Sequence, residues 1–202
     1  MTKVVIIGGG PGGYEAALVA AQLGADVTVV ERDGIGGACV LTDCVPSKTL
    51  IATSTRTTYV READHLGIHI HDGHDGHDKT SVNVDSDQVN SRIKRLARAQ
   101  SEDTRARLIK EGVKVISGEA RLVDPRIVAV GDQRLRADVV LIATGAHPRE
   151  LPSAKPDGER ILTWRHIYDM EELPEKLIVV GSGVTGAEFA SAYQALGSNV
   201  TL

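Results

Sequence analysis

The chain's two cysteines, Cys39 and Cys44, sit in one short run, Gly36-Gly37-Ala38-Cys39-Val40-Leu41-Thr42-Asp43-Cys44-Val45-Pro46-Ser47-Lys48. In a reducing compartment a disulfide is usually transient and catalytic, so two cysteines this close point to redox work. A metal site needs more ligands than Asp43, which is all the local run adds, and the zinc spacings lack their second half. Two independent buried thiols remain the structural alternative. Five of the seven histidines, His65, His69, His71, His74 and His77, alternate with Asp72, Asp75 and Asp78. Such a run could hold zinc or nickel, but Gly73 and Gly76 suit a solvated loop of turn formers, and no metal site is assigned. His147 and His166 read as structural.

The glycines carry a second kind of chemistry. Laid at an offset of 173, the segments Lys3–Val29 and Lys176–Leu202 share ten identities in 27 positions. Each opens with a short apolar run and continues as Gly-x-Gly-x-x-Gly: Gly8, Gly10 and Gly13 in the first, Gly181, Gly183 and Gly186 in the second. Each then gives a helical stretch that stops at a glycine, Gly24 or Gly197. In this setting the first glycine permits a tight turn and the second lets the main chain approach a pyrophosphate. The third lets helix and strand pack closely, with the phosphates over the helix N-terminus. Glu31, at the end of the next apolar run, is placed to accept hydrogen bonds from a ribose. Its counterpart in the second segment falls at position 204, so the sequence does not separate NAD from NADP. The alternative for either set is a strand-to-helix turn without ligand.

These residues need elements to hold them. Val4–Ile7, Asp26–Val30, Lys114–Ser117, Glu119–Val123, Ile127–Val130, Ala137–Ala143 and Leu177–Val180 read as strands. Gly34–Pro46 reads as a glycine-rich loop and Ser47–Glu62 as a helix weakened by its threonines. Residues 65–80 read as a polar loop. Ser86–Glu111 is an amphipathic helix whose basic residues alternate with Glu102, Asp103 and Glu111, the pattern of a solvated face. Pro148, Pro152, Pro156 and Gly158 mark a linker. The fold class expected is α/β, a Rossmann-like dinucleotide domain over residues 1–150 and the beginning of a second over 151–202.

Composition closes off other classes. Lys and Arg total 23 against 27 Asp and Glu, a net charge that gives no field drawing the protein onto nucleic acid. No apolar run reaches the roughly 18 residues needed to span a bilayer. Glycines and Glu15 interrupt the apolar start, so no signal peptide is read and the expected location is cytoplasmic.

Together, the first fingerprint, Glu31 and the loop from Gly36 to Lys48 resemble the FAD-dependent pyridine nucleotide–disulfide oxidoreductases, which include the dihydrolipoamide dehydrogenases. The resemblance covers the whole chain. Ala143-Thr144-Gly145 is similar to that family's second flavin-contact segment, and Gly181-Ser182-Gly183-Val184-Thr185-Gly186-Ala187-Glu188 to its nicotinamide fingerprint. The run from Pro152 through Thr163-Trp164 to Glu188 looks closest to a bacterial branch of NAD(P)H:quinone dehydrogenases.

The resemblance implies FAD and NAD(P)H as cofactors. The implied FAD-binding residues are Gly8, Gly10, Pro11, Gly13, Glu31, Gly37, Lys48, Ala143, Thr144 and Gly145; Gly181, Gly183 and Gly186 are implied for the nicotinamide nucleotide. It implies catalytic roles for four residues: Cys44 as the sulfur next to the flavin, Cys39 as the outer thiol, and Lys48 near flavin N5 paired with Glu188. A cation there favours the reduced flavin's negative charge, and a carboxylate keeps the lysine charged. The pattern departs at Ala38 and at Leu41-Thr42-Asp43, which puts a negative charge beside Cys44. Compared with the family, the chain looks like the N-terminal part of a longer, homodimeric enzyme, without the dimerisation domain. The expected reaction is hydride transfer from NAD(P)H to flavin and on to a small-molecule acceptor, a quinone. The alternatives are dithiol–disulfide chemistry through Cys39 and Cys44, and an inactive dinucleotide-binding or metal-buffering fragment.

Overall fold

The computed structural model describes residues 1–69 and 82–202. By contact the chain forms two compact units, Met1–Val45 with Arg95–Lys155, and Pro46–Lys94 with Pro156–Leu202. The last of these breaks falls between Lys155 and Pro156. Residues 46–94, however, fold with the C-terminal segment and not with the N-terminal one.

In the first unit, β1 (Lys3–Ile7), α1 (Pro11–Gln22), β2 (Asp26–Glu31) and the five-residue α2 (Gly37–Leu41) come first. The second half of α4 (Ser86–Lys110), β3 (Lys114–Ser117), β4 (Ala120–Asp124), β5 (Ile127–Val130), β6 (Gln133–Arg136) and β7 (Val139–Ile142) follow. A four-stranded parallel sheet has the order β3-β2-β1-β7, with Ile6 opposite both Val29 and Leu141. The strands read as unbroken apolar runs because both faces are covered. Ile6, Val27 and Val29 pack with Ala17, Leu18 and Leu108, whereas Val5, Ile7 and Val30 pack with Val128 and Val130 of β5 and with Ala137, just after β6. Fully burying a side chain such as Ile6 contributes about 1.5–3 kcal/mol. At the start of the sheet the Lys3 N–H donates to the Asp138 carboxylate at 2.8 Å, tying β1 to a residue 135 positions on.

Two sequence expectations are corrected here. The stretch 34–46, expected as a loop, contains α2 and the start of α3 (Cys44–Glu62). Pro46 lies in the first turn of α3, where the missing N–H has no intrahelical partner to lose. Strand β6 was not anticipated, because Gln-Arg-Leu-Arg offers one apolar residue, and it is held by antiparallel pairing of Leu135 with Val128.

In the second unit, α3, the first half of α4, α5 (Val184–Leu196), β8 (Lys176–Ile178) and β9 (Asn199–Thr201) surround a core of Leu50, Ile93, Ile167, Tyr168, Phe189, Ala192, Tyr193 and Leu196. β8 and β9 pair in parallel. The threonines of α3 fit a helix because their hydroxyls donate back to the preceding turn: Thr53 to Thr49 O, Thr55 to Ile51 O, Thr57 to Thr53 O and Thr58 to Ser54 O. The Arg61 guanidinium donates to the carbonyls of Ala195 (2.6 Å) and Leu196 (3.1 Å) at the C-terminus of α5. No helix among the described residues is long and apolar enough to cross a membrane.

Candidate functional site

The turn between β1 and α1 has the geometry its glycines imply. Gly8 has φ +104°, a conformation that an L side chain rarely adopts. A Cβ on Gly13 would overlap the Gly8 carbonyl oxygen, so the third glycine permits the close approach of helix to strand. A Cβ on Gly10 would meet no protein atom within 4 Å. This clearance at the N-cap of α1 faces open space, and no side chain caps the helix. A helix N-terminus left open in this way is suited to a phosphate.

Glu31 reaches this turn from the end of β2. One carboxylate oxygen accepts the Gly9 N–H at 2.6 Å, and the other accepts the N–H groups of Asp33 (2.6 Å) and Gly34 (3.4 Å). The carboxylate is thereby fixed beside the fingerprint loop. The Gly36 N–H donates to Gly9 O at 2.7 Å, and Gly37 lies so near that its Cβ would be 3.0 Å from Gly10 Cα. These contacts dock the start of α2 on the same loop. The part played by Gly9 and Gly36 is not legible in the motif, because it rests on backbone atoms that any residue carries.

Ala143 follows β7, and its N–H donates to Ile7 O at 2.8 Å. Thr144 and Gly145, both exposed, continue the chain beside the Gly8 turn. The segment therefore lies at the carboxyl end of the sheet, where strand order reverses around β1, the usual place for a ligand in an open α/β sheet. Cys39 is half-buried in α2, and Cys44 is exposed as the first residue of α3.

The second fingerprint repeats the first. Gly181 has φ +115°, a Cβ on Gly186 would overlap the Gly181 carbonyl oxygen, and one on Gly183 would meet nothing within 4 Å. In the same unit Lys48 Nζ lies 2.6 Å from Glu188 Oε1, and the Ser47 hydroxyl donates to Glu188 Oε2 at 2.9 Å. The Lys48 hydrogen bond, and secondarily that of Ser47, hold the Glu188 carboxyl below the usual carboxylate range, against the upward pull of burial. Ser47 carried no signal of its own in the sequence.

The histidines are placed in part. His69 Nδ1 lies 3.1 Å from Asp64 Oδ1, and His166 Nδ1 accepts the Thr163 N–H at 3.1 Å. His71, His74 and His77 lie outside the described residues, and among the described residues no group of three or more His, Cys, Asp or Glu side chains converges.

Residues 2–202 match the family described as pyridine nucleotide-disulphide oxidoreductase. The chain belongs to that family. It is 53% identical to a Mycobacterium tuberculosis protein named NAD(P)H dehydrogenase (quinone), over all of this chain and 42% of that protein. It is 36% identical to dihydrolipoyl dehydrogenase 2 of Haloarcula marismortui, again over the whole chain and 42% of the relative. The crystal structure of LpdA from Mycobacterium tuberculosis superposes with a TM-score of 0.87 at 51% identity, covering 99% of this chain and 44% of that one. The chain thus spans less than half the length of the relatives it matches.

The family's members are FAD- and NAD(P)-dependent oxidoreductases. The residues present fit a dinucleotide: a cradle kept clear at Gly10, an uncapped helix start and a fixed carboxylate at Glu31. The clearance at Gly183 fits a second one.

Proposed function

We propose that this chain carries the FAD-binding part, and the beginning of the NAD(P)-binding part, of a flavoprotein that passes hydride from NAD(P)H to FAD and electrons on to a quinone. The observation that carries this reading is the turn at Gly8, Gly10 and Gly13, clear on its open side and bordered by the Glu31 carboxylate. When bound, FAD supplies the two-electron relay between donor and acceptor.

The chain's own residues bind and orient. The backbone around Gly10, Pro11 and Gly13 takes the pyrophosphate, Glu31 takes the ribose hydroxyls, and Gly37 and Ala143-Thr144-Gly145 border the flavin. Lys48, charged through its pair with Glu188, is assigned to the flavin ring, where a cation favours the reduced form. Gly181, Gly183 and Gly186 take the nicotinamide dinucleotide. In this assignment residues 1–150 form the FAD domain and 151–202 open the nicotinamide domain. The enzyme works in the cytoplasm as a homodimer.

The quinone as acceptor is supported by the name of the 53% identical relative. Cys39 and Cys44 favour a second reading, in which their disulfide and dithiol forms relay electrons to a disulfide substrate. Quinone reduction and lipoamide turnover with NADH and NADPH, measured on the full-length gene product and its Cys39→Ser variant, separate the two. Quinone activity that survives the substitution, with negligible lipoamide turnover, supports direct exit from flavin. Lipoamide turnover that the variant loses overturns it. FAD retained without NAD(P)H oxidation returns the inactive, binding-only alternative.

A further inference from the structure

The Glu188 carboxylate is shared between two unequal partners. Lys48 takes one oxygen at 2.6 Å, but its side chain is 59% exposed and turns about four torsions. Ser47 takes the other at 2.9 Å; it is 1% exposed and has a single heavy-atom torsion. Glu188 itself is 18% exposed. An exposed lysine paired with a carboxylate gains little by itself, because solvent screens the pair and ordering the long chain costs entropy. A buried hydroxyl on the other oxygen changes that balance. It fixes the rotation of the carboxylate, so the lysine meets an acceptor already in place.

The hydroxyl is also a second, longer contact for the ammonium, with Lys48 Nζ 3.4 Å from Ser47 Oγ against 2.6 Å from Glu188 Oε1. With its proton directed to Glu188, the Ser47 oxygen turns its lone pairs outward, and one of these faces Lys48. Three side chains, two of them neighbours in the first turns of α3 and the third on α5, therefore close into a small ring in which Ser47 is the rigid member.

We propose that Ser47 is a positioning residue: by holding the Glu188 carboxylate it sets where the Lys48 ammonium sits, and through Lys48 it sets the reduction potential of the bound flavin. The proposal rests on the reading of the chain as a flavoprotein with Lys48 at the flavin.

Two measurements on the full-length protein test it. The first, without added FAD, is the acylation of the Lys48 amine by trace acetic anhydride, read by mass spectrometry. The second is the midpoint potential of the FAD-loaded protein. Both are made on wild type, Ser47→Ala, Ser47→Thr, Glu188→Gln and the Ser47→Ala/Glu188→Gln double variant. The expected result is a several-fold rise in Lys48 labelling and a more negative potential in Ser47→Ala, with both restored towards wild type in Ser47→Thr. In the Glu188→Gln background, Ser47→Ala adds nothing further. Labelling that Ser47→Ala leaves unchanged, or changes equally when Glu188 is already Gln, overturns the proposal. If one Ser47 variant fails to fold, the other decides by whether its labelling departs from or matches wild type. A protein that takes no FAD sinks the flavoprotein reading, and the proposal's last step with it, while the labelling still reports on the ring. A potential indifferent to Ser47 despite altered labelling sinks the proposal alone.

Discussion

The Gly8 carbonyl oxygen occupies the place that a Cβ on Gly13 would need, and the Gly181 carbonyl stands in the same relation to Gly186. Backbone cannot yield as a side chain end can, so Gly13→Ala and Gly186→Ala are expected to cost at least about 1–3 kcal/mol of stability. Gly10→Ala meets no atom and sits at φ −70°, so it should melt like wild type yet lose FAD, because the methyl fills the clearance meant for the pyrophosphate. Thermal unfolding beside FAD titration checks this. Undiminished FAD affinity in Gly10→Ala would place the dinucleotide elsewhere.

Glu31 supports the empty fold as well as any ligand. Removing its carboxylate leaves the buried Gly9 N–H without its acceptor, a loss of about 1–3 kcal/mol, while the exposed Asp33 N–H can turn to water. Glu31→Gln, although the same size, turns an amide donor towards one of them and should also destabilise. Urea unfolding without FAD measures both, and a neutral Glu31→Gln would mean that shape alone matters.

The pH dependence of stability has a definite sign. Glu188 titrates lower in the folded protein than its ordinary value of 4.5. The unfolded chain therefore binds this proton more readily, and the stabilisation is complete above the unfolded value and lost as pH falls through the folded one. Asp157, held low by N–H bonds from Ile161, Glu159 and Arg160, acts with the same sign. Acid titrations of unfolding free energy should flatten in Glu188→Gln and, separately, in Asp157→Asn. An unchanged acid limb in Glu188→Gln would mean that the ring does not persist in solution.

Arg61 closes the carbonyl end of α5. Arg61→Ala loses two charge-assisted hydrogen bonds and a favourable charge at a helix C-terminus, a change of about 0.5–1 kcal/mol at an exposed position. Arg61→Lys should recover part of it, because an ammonium keeps the charge without the fork. Differential scanning calorimetry resolves the pair.

The parts of this molecule legible in the sequence are those that repeat or alternate. Two fingerprints 173 residues apart announced two strand-turn-helix units, and both turns have the expected backbone. Glu31 was legible because its place is counted along the chain from a glycine. Helix α2 was not, since five residues cannot display a helical period. Pro46 closes the expected loop Gly34–Pro46, although it stands in the first turn of α3. The grouping of residues 46–94 with 156–202 was hidden for a different reason: an amphipathic helix such as α4 advertises an apolar face but not what will cover it. Ser47 is the extreme case, a lone hydroxyl whose role depends on a residue 141 positions away.

The bond between Lys3 and Asp138 has a consequence for biosynthesis. β1 leaves the ribosome before its sheet partners and gains β2 within a few tens of residues, yet its other neighbour, β7, lies on the far side of a 135-residue separation marked by the Lys3–Asp138 bond. Until β7 follows, one edge of this apolar strand stays open to any other extended segment. Slow synthesis therefore lengthens the period of exposure, and a chaperone that covers residues 3–7 in the nascent chain would raise the yield of folded protein without touching its final stability.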